Sequence, residues 1–581
     1  MKPFINTKET LVHDALDGFL STCGSSRSRL DGYPHIKVVI RTDWDKSKVA
    51  LLSGAGSGHE PAHPGFVAKG MLSTAVCGDV FASPSTDAVL AAILAVTGDA
   101  GCLLIVKNYI GDRLNFGLAA ERARALGLKV NMVVVDDAIA LPHIPQARGL
   151  AGTLFVHKIA SALAEKGADL NAVTEASVRV IADVASISMS LDTCPIPCAP
   201  KEDQIGTKKA ELGLGIHGEP GVEQVDFENA RSAMEMVVDR LAPKLKTRFY
   251  VALLNNLEGS TPLEMSVRAN ELCRSKISAQ VSHIIGPAQL MSALDTHGFS
   301  MSLLPVDQAQ LDAILAPVAP SAWPMCSVIG EVKTTPIPIS LEIPKYQALD
   351  HSATHTMLSA ACTALIAAQA ELNALDTKSG DGDTGSRVAA AAQSLANAID
   401  EPPLADTAEL FRAIGSTLSQ SMGGSSGVIL AIFFSSAGEA AANGSTLNNA
   451  LMSGLKRIQA VGGAPPGDRT MIDALTPALN ALRHGLTAAA QAEWRGCERT
   501  HNQSQGLDGQ RMCLLQIWQV TMTSGAKPSR CYSSILPKPN ELSLGLLNEC
   551  LGCKAGIDIK ENFHGHCIVA RPRFQLARQI Q

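Results

Sequence analysis

The chain reads as an α/β half built from two subdomains, followed by an all-helical half. Three observations predict this. Short apolar runs of strand length alternate with helically spaced stretches over 1–333. A proline-bearing stretch, Thr334 to Asp350, then interrupts all periodicity. Beyond it, apolar residues recur only at i+3 and i+4.

In the first half, Val38 to Ile40, Val49 to Leu52, Leu103 to Val106 and Val130 to Val135 read as buried strands. Thr86 to Val96, Leu118 to Leu126 and Thr153 to Glu165 read as helices between them, so a mostly parallel sheet is expected. Cys194 to Gln204 (CPIPCAPKEDQ) reads as a connection, giving subdomains of about 1–193 and 205–333. The second carries strands near Tyr250 to Leu254, Gln280 to Ile285 and Ser300 to Leu304. After the 334–350 linker, Leu358, Cys362, Leu365, Ala368 and Leu372 give one apolar helix face. Arg387 to Ala398, Ala408 to Gln420, Val428 to Ala442 and Met471 to Arg483 extend the helical domain over 351–493. From about Trp494 the periodicity is lost.

The 581 residues are 46 % hydrophobic and 18 % charged, which excludes global disorder. A net charge of −6 without a basic block argues against nucleic acid. Apolar runs such as Ala88 to Val96 are too short to span a bilayer, and the N-terminus lacks a signal pattern, so the cytosol is expected. Eight of the fourteen cysteines are scattered up to Cys362, as reduced core thiols are; six crowd into the last 85 residues.

Six motifs carry chemistry. In VALLSGAGSGHEPAHPGF, a strand runs into Gly54, Gly56 and Gly58, where backbone N–H groups can meet ligand oxygens. His59 stands where a dinucleotide fingerprint needs Gly or Ala, and Pro61 breaks the helix that a zinc-protease H-E-x-x-H requires. A structural turn is the plain alternative. In LLIVKNYIGDRLNFG, Lys107, Asn108, Asp112 and Arg113 follow a buried strand, where α/β sheets bind ligands. Asp112 suits a general base and Lys107 an oxygen partner; a solvated loop is the alternative. In GLGIHGEPG, His217 is an imidazole able to add to a carbonyl, although residue type alone favours an ordinary loop histidine. LDTKSGDGDTG sets Asp376, Asp381 and Asp383 among glycines, hard ligands suited to Mg²⁺; the EF-hand loop and its Glu are missing. MGGSSG (Met422 to Gly427) could hold a phosphate ahead of a helix, and GGAPPGDRTM offers Asp468 and Arg469. Neither is a Walker loop, and each alone fits a helix-joining turn.

Together these motifs resemble the ATP-dependent dihydroxyacetone kinases of the fused, single-chain type over about residues 10–493. The resemblance implies a substrate-binding α/β domain joined to an eight-helix barrel holding nucleotide. It implies that His217 bonds the ketone carbon as a hemiaminal, which excludes glycerol chemically. Gly54, Ala55, Gly56, Ser57, Gly58 and Lys107 would hold the substrate, and Asp112 would take its hydroxyl proton with His59 assisting. Asp376, Asp381 and Asp383 would hold Mg²⁺ on ATP. Asp383, Thr384, Gly385, Ser386, Ser425, Ser426, Gly467 and Arg469 would contact nucleotide. Dihydroxyacetone, and glyceraldehyde beside it, are the implied substrates, and a homodimer is the implied assembly. Some members also cyclise FAD, a point these residues leave open.

The chain departs from the pattern at Ala55, where a glycine is usual and a methyl would restrict φ, and at Ile110, where a threonine is usual. Beyond Trp494 it lacks the family's AGRASY-like segment and later Asp-Pro-Gly. The 494–581 tail fits a shifted reading frame and poor order. Its Cys550, Cys553, His564, His566 and Cys567 make only one CxxC, too loose for a zinc framework. A ketose-binding protein with impaired kinase activity is therefore the competing expectation.

Overall fold

The computed structural model describes residues 4–32, 35–140, 147–194, 205–246, 249–338, 346–377, 381–468 and 470–501. The chain forms two compact units, Met1–Thr334 and Thr335–Gln581.

The first unit holds two sheets. Strands β1 (Arg27–Arg29), β2 (Val38–Arg41), β3 (Ala50–Ser57), β4 (Thr74–Val80), β5 (Cys102–Lys107) and β6 (Val130–Val135) lie in the order β1-β2-β4-β3-β5-β6. β4, β3, β5 and β6 are parallel, as strand–helix alternation predicts; β1 and β2 join antiparallel. Around them run α1 (Leu11–Thr22), α2 (Thr86–Val96), α3 (Ile110–Ala125), α4 (Thr153–Glu165) and α5 (Leu170–Asp183). Leu52, Leu104 and Val106 pack with α2 and α3, while Leu51, Leu103 and Ile105 pack with α4 and α5. Burial on both faces explains why these strands read as unbroken apolar runs.

The second sheet comprises β7 (Ala185–Ser190), β8 (Lys209–Leu212), β9 (Glu223–Asp226), β10 (Tyr250–Asn256), β11 (Val281–Ala288), β12 (Gly298–Pro305) and β13 (Cys326–Val328), ordered β13-β11-β10-β12-β7-β8-β9. Helices α6 (Ala230–Leu241), α7 (Pro262–Arg274) and α8 (Gln308–Leu315) accompany it. α7 begins at a capping box, Thr261 with Glu264, with Pro262 at its first position. Only β10 and β11, joined across α7, pair in parallel; the other pairs are antiparallel, so the expected parallel character holds for the first sheet alone. The subdomain border also moves. β7, placed by a border at 193 in the first subdomain, pairs with β12 (Ile187 opposite Met301) and belongs to the second sheet. The proline-rich segment joins β7 to β8 within one sheet, because long-range hydrogen bonding and not local composition chose the partner; its residues 195–204 lie outside the described ones.

The second unit is all-helical: α9 (Ser352–Ala367), α10 (Gln369–Asp376), α11 (Thr384–Asn397), α12 (Thr407–Ser421), α13 (Gly424–Ala442), α14 (Leu447–Gly462), α15 (Ile472–Ala481) and α16 (Leu486–His501). Leu372, Val388, Leu418, Phe433, Leu455 and Leu475 build its core. The apolar face from Leu358 to Leu372 is two helices, broken at Ala368. Regular structure continues past Trp494 to His501; the rest of the tail, including the expected disorder and the Cys/His group from Cys550, lies outside the described residues. Among the described residues, no helix is long and apolar enough to cross a membrane.

Candidate functional site

At the carboxyl ends of β3 and β5 the first unit gathers three of its motifs. β3 does not stop at the glycines but runs through them to Ser57. Glycine is required there by approach: a Cβ on Gly54 would stand 2.2 Å from the Val76 carbonyl oxygen, and one on Gly56 2.6 Å from the Ala82 nitrogen. Gly58 adds a left-handed φ of 104°. Ala55 lies opposite Cys77 in the ladder with no positive φ, so its methyl carries none of the backbone strain expected of it. The Ser57 hydroxyl is already donated to the Gly78 carbonyl, 2.9 Å away.

His59 and His217 meet here although they are far apart in sequence. Their ring centroids are 4.8 Å apart, edge to face, with Tyr109 4.6 Å and Phe81 5.4 Å from His217. Phe81 holds a φ of 56°, a strained conformation for an aromatic residue, and stacks on His59 as well. The His217 Nδ1 and backbone N–H both lie 3.0 Å from the Glu219 carboxylate. Nδ1 being the nitrogen turned to Glu219, Nε2 is the ring nitrogen left clear of that bond. His59 Nδ1 is 2.9 Å from the Ser292 carbonyl, which fixes the proton on Nδ1; buried Nε2 carries no hydrogen bond from a described residue. Neither HEPAH histidine lies on a helix, and they part company: His59 joins His217, while His63 packs on His157.

Lys107, at the end of β5, is fully buried, and its ammonium is likewise without a described hydrogen-bond partner. Burial pulls it down to about 8 against the opposing pull of Asp112, Glu219, Asp137 and Glu60. Asp112 sits in the first turn of α3, not in a loop, and is 2 % exposed with Oδ1 unpartnered. Burial raises its pKa, with Lys107 and the Ser83 hydroxyl opposing. His59 is held neutral by burial first, then by the Lys107 charge. For Glu219, burial is outweighed by the His217 hydrogen bond and charge, and the carboxyl falls to about 2. Arg113 and Asn108 follow the same strand; Asn108 is spent on the Ala147 carbonyl, 2.6 Å away.

Sequence reasoning missed Glu219, Tyr109, Phe81 and Ser292. A signal existed for Glu219, two residues from His217, and for Tyr109, two residues from Lys107 in its motif; Phe81 and Ser292 are placed purely by tertiary structure.

The helical unit has its own cluster. Asp376, Asp381 and Asp383 bring one oxygen each within 4.8 Å of one another. Asp376 is fully buried and accepts the backbone N–H of Asp383 and Thr384 on Oδ2, at 3.1 and 3.2 Å. Its Oδ1 and the Oδ1 of Asp383 are buried without described partners, which fits a hard cation. Arg387 pairs with Asp381 (3.3 Å) and Asp383 (2.5 Å). A Cβ on Gly424, at the start of α13, would meet Arg387 Nη1 at 2.6 Å, so the MGGSSG turn borders the aspartates. Gly385 is needed for helix packing: its Cβ would lie 2.2 Å from the Gln369 carbonyl oxygen. Ser386 Oγ accepts from Asn373 and Gln369. Gly467 turns at φ 102°, its N–H donating to Asp473. The side chains of Ser425 and Ser426, and all of Arg469, lie outside the described residues.

A histidine hydrogen-bonded at Nδ1 among buried ionisable groups, and separately a triad of carboxylates beside a glycine turn, give the two units two distinct polar sites. Comparison with known proteins makes this specific. Residues 21–322 match the model of the Dak1 domain and residues 378–509 that of the DAK2 domain. The chain is 44 % identical over 508 residues to the dihydroxyacetone kinase of Citrobacter freundii, covering 86 % of this chain and 92 % of that one. It is 38 % identical to the triokinase/FMN cyclase of Rattus norvegicus, covering 87 % and 93 %. The crystal structure of the C. freundii dihydroxyacetone kinase in complex with AMP-PNP and Mg²⁺ superposes with a TM-score of 0.67 at 42 % identity, covering 90 % of this chain and 99 % of that one. The chain belongs to the dihydroxyacetone kinase family.

Proposed function

We propose that this protein is an ATP-dependent kinase that phosphorylates dihydroxyacetone, with glyceraldehyde as a second substrate, and holds the ketone as a covalent hemiaminal on His217. The observation that carries this reading is the Glu219 bond to His217 Nδ1, which leaves Nε2 to act as the nucleophile beside the rings of His59, Phe81 and Tyr109. Nε2 forms the C–N bond, the carbonyl π electrons move to oxygen, and the proton that Nδ1 releases through Glu219 is passed on to that oxygen, so that Glu219 ends ionised and the adduct neutral. Only a carbonyl compound can be held in this way. Lys107 and the N–H groups of residues 54–58 receive substrate oxygens. Asp112, its affinity for protons raised by burial, takes the proton of the primary hydroxyl as that oxygen attacks the γ-phosphorus of ATP. His59 assists by sharing that proton on Nε2, which is buried without a described partner. In the helical unit, Asp376, Asp381 and Asp383 are the residues to hold Mg²⁺, which when bound offsets charge on the ATP phosphates. Thr384, Gly385, Ser386, Ser425, Ser426, Gly467 and Arg469 complete the proposed nucleotide contacts. A homodimer, with the helical unit of one copy serving the α/β unit of the other, is part of the reading; the exposed stripe Ile110, Leu114 and Leu118 on α3, the helix that carries Asp112, supports it. The unpaired described cysteines support a reducing cytosol.

The test is paired. Intact-protein mass spectrometry should show one added dihydroxyacetone, lost in His217→Ala, and a coupled assay should show ATP-dependent phosphorylation. Adduct without turnover would favour the second reading, a ketose-binding protein with impaired kinase activity. The missing Asp-Pro-Gly beyond Trp494 favours that reading, and replacing the segment after 494 with a family-like one should then restore turnover.

A further inference from the structure

Behind the pocket, on the α4 face of the first sheet, lies a second polar group that the reaction above does not use. Ser53, His63, His157 and Ser161 are all at most 2 % exposed. The rings of His63 and His157 are 5.3 Å apart, edge to face. Ser53 Oγ donates to the Ile105 carbonyl at 2.7 Å and lies 3.4 Å from His63 Nδ1. Its proton being spent on Ile105, Ser53 can only accept from His63, so His63 Nε2 carries a lone pair. That atom, both His157 ring nitrogens and Ser161 Oγ have no hydrogen bond from a described residue. Four such atoms are costly in a core that merely needed filling, and phenylalanine or alanine would remove that cost.

Two residues beyond Ile105 on β5, and so on the same face, stands Lys107 with its ammonium buried and unpartnered. Its charge is one of the causes, after burial, that keep His59, His63 and His157 neutral. The groups around it are Asp112 on α3, Glu219 after β8, Asp137 after β6, Glu60, His59 and His63 after β3, His157 on α4, and the Tyr109 ring 5.7 Å from Nζ. The carboxylates attract the ammonium without fixing its direction; neutral imidazole nitrogens offer directed acceptors.

We propose that His63 and His157 are positioning residues for Lys107: their ring nitrogens accept from its ammonium across one ordered water and so aim its remaining proton at the substrate oxygen. The substrate half of this statement rests on the function proposed above, whereas the Lys107 half does not.

The experiment therefore follows Lys107 without substrate. In the full chain carrying ¹³Cε-lysine, the Lys107 resonance is identified by its loss in Lys107→Arg and titrated by NMR. It should titrate at about 8 in the parent. In His63→Phe and in His157→Phe it should fall by about one pH unit, a tenfold change in proton affinity, and it should recover in His63→Asn and His157→Gln. A purely structural role predicts the reverse ranking, since phenyl fills an apolar core better than an amide. An unmoved titration in the Phe variants overturns the proposal. The two histidines are tested separately, so refutation remains possible if one variant does not fold. Assayed at pH 9, above both titration points, the Phe variants should also raise KM for dihydroxyacetone about tenfold, matching the loss of ammonium there, with kcat nearly kept. A moved titration with an unmoved KM would uphold the positioning and instead refute contact between Lys107 and substrate.

Discussion

The two polar constellations of this chain are built on opposite electrostatic plans. In the α/β unit, His59 and Lys107 are fully buried and Asp112 is 2 % exposed, so burial moves each group toward its neutral form. In the helical unit, the Asp381 and Asp383 side chains are 61 % and 42 % exposed and pair with Arg387. The first plan suits a site that must keep one imidazole nucleophilic and one carboxylate basic at neutral pH. The second suits a site that must attract and release a hydrated cation and its polyphosphate. A kinase needs both, and separating them on two units lets each keep its own dielectric.

That contrast can be broken most sharply at Asp112. Asp112→Asn should lower kcat by about 10²–10⁴-fold, the range of a lost general base, while the His217 adduct seen by mass spectrometry persists. Loss of the adduct as well would show that Asp112 organises the pocket and does not act on a proton.

On the other side, Asp376→Asn or Asp383→Asn should weaken Mg-ATP binding by about 10–100-fold, the loss of a charged ligand contact, when measured by calorimetry. The adduct should be untouched. If Mg-ATP binds normally in both variants, the carboxylates are only a helix junction.

A smaller effect tests the link within the first plan. Glu219→Gln should slow adduct formation about tenfold or more, the worth of a hydrogen bond to a charged group. Because the Glu219 carboxyl sits near 2 in the folded chain against an ordinary 4.5, its stabilising contribution is complete above 4.5 and is lost as pH falls through that window. Thermal unfolding of the parent should therefore drop relative to Glu219→Gln between those pH values, and parallel curves would remove the ion pair from the account.

Lys107 gives the corresponding alkaline signature. Its ammonium is lost as pH rises through about 8, so kcat/KM should decline there. A profile flat to pH 10 would deny the ammonium a part in binding.

The smallest expected change lies at the departure from the family pattern. Ala55→Gly should alter KM less than twofold and cost about 0.5–1 kcal/mol of stability, because the Ala55 backbone is already an ordinary strand. A large gain in affinity would mean that the methyl does obstruct the substrate loop.

How much of this could be read in advance depended on range. The α/β and helical halves, the edges of α2 and α4, and the residues of each motif were legible, since apolar period and glycine spacing are local properties. The helical first turn holding Asp112 was not, because NYIGDR reads as a loop until Ser83 and β5 fix it. The sheet to which β7 belongs was not legible for the same reason: its partner β12 lies more than a hundred residues away. By itself the sequence determined which chemistry was present: imidazole, ammonium, carboxylates and glycines in family order. Only the tertiary structure decided what each group is able to do. It brought Ser292 to His59, Phe81 and Tyr109 to His217, and closed the core over Lys107, and proton affinity follows from that burial and contact, not from residue type.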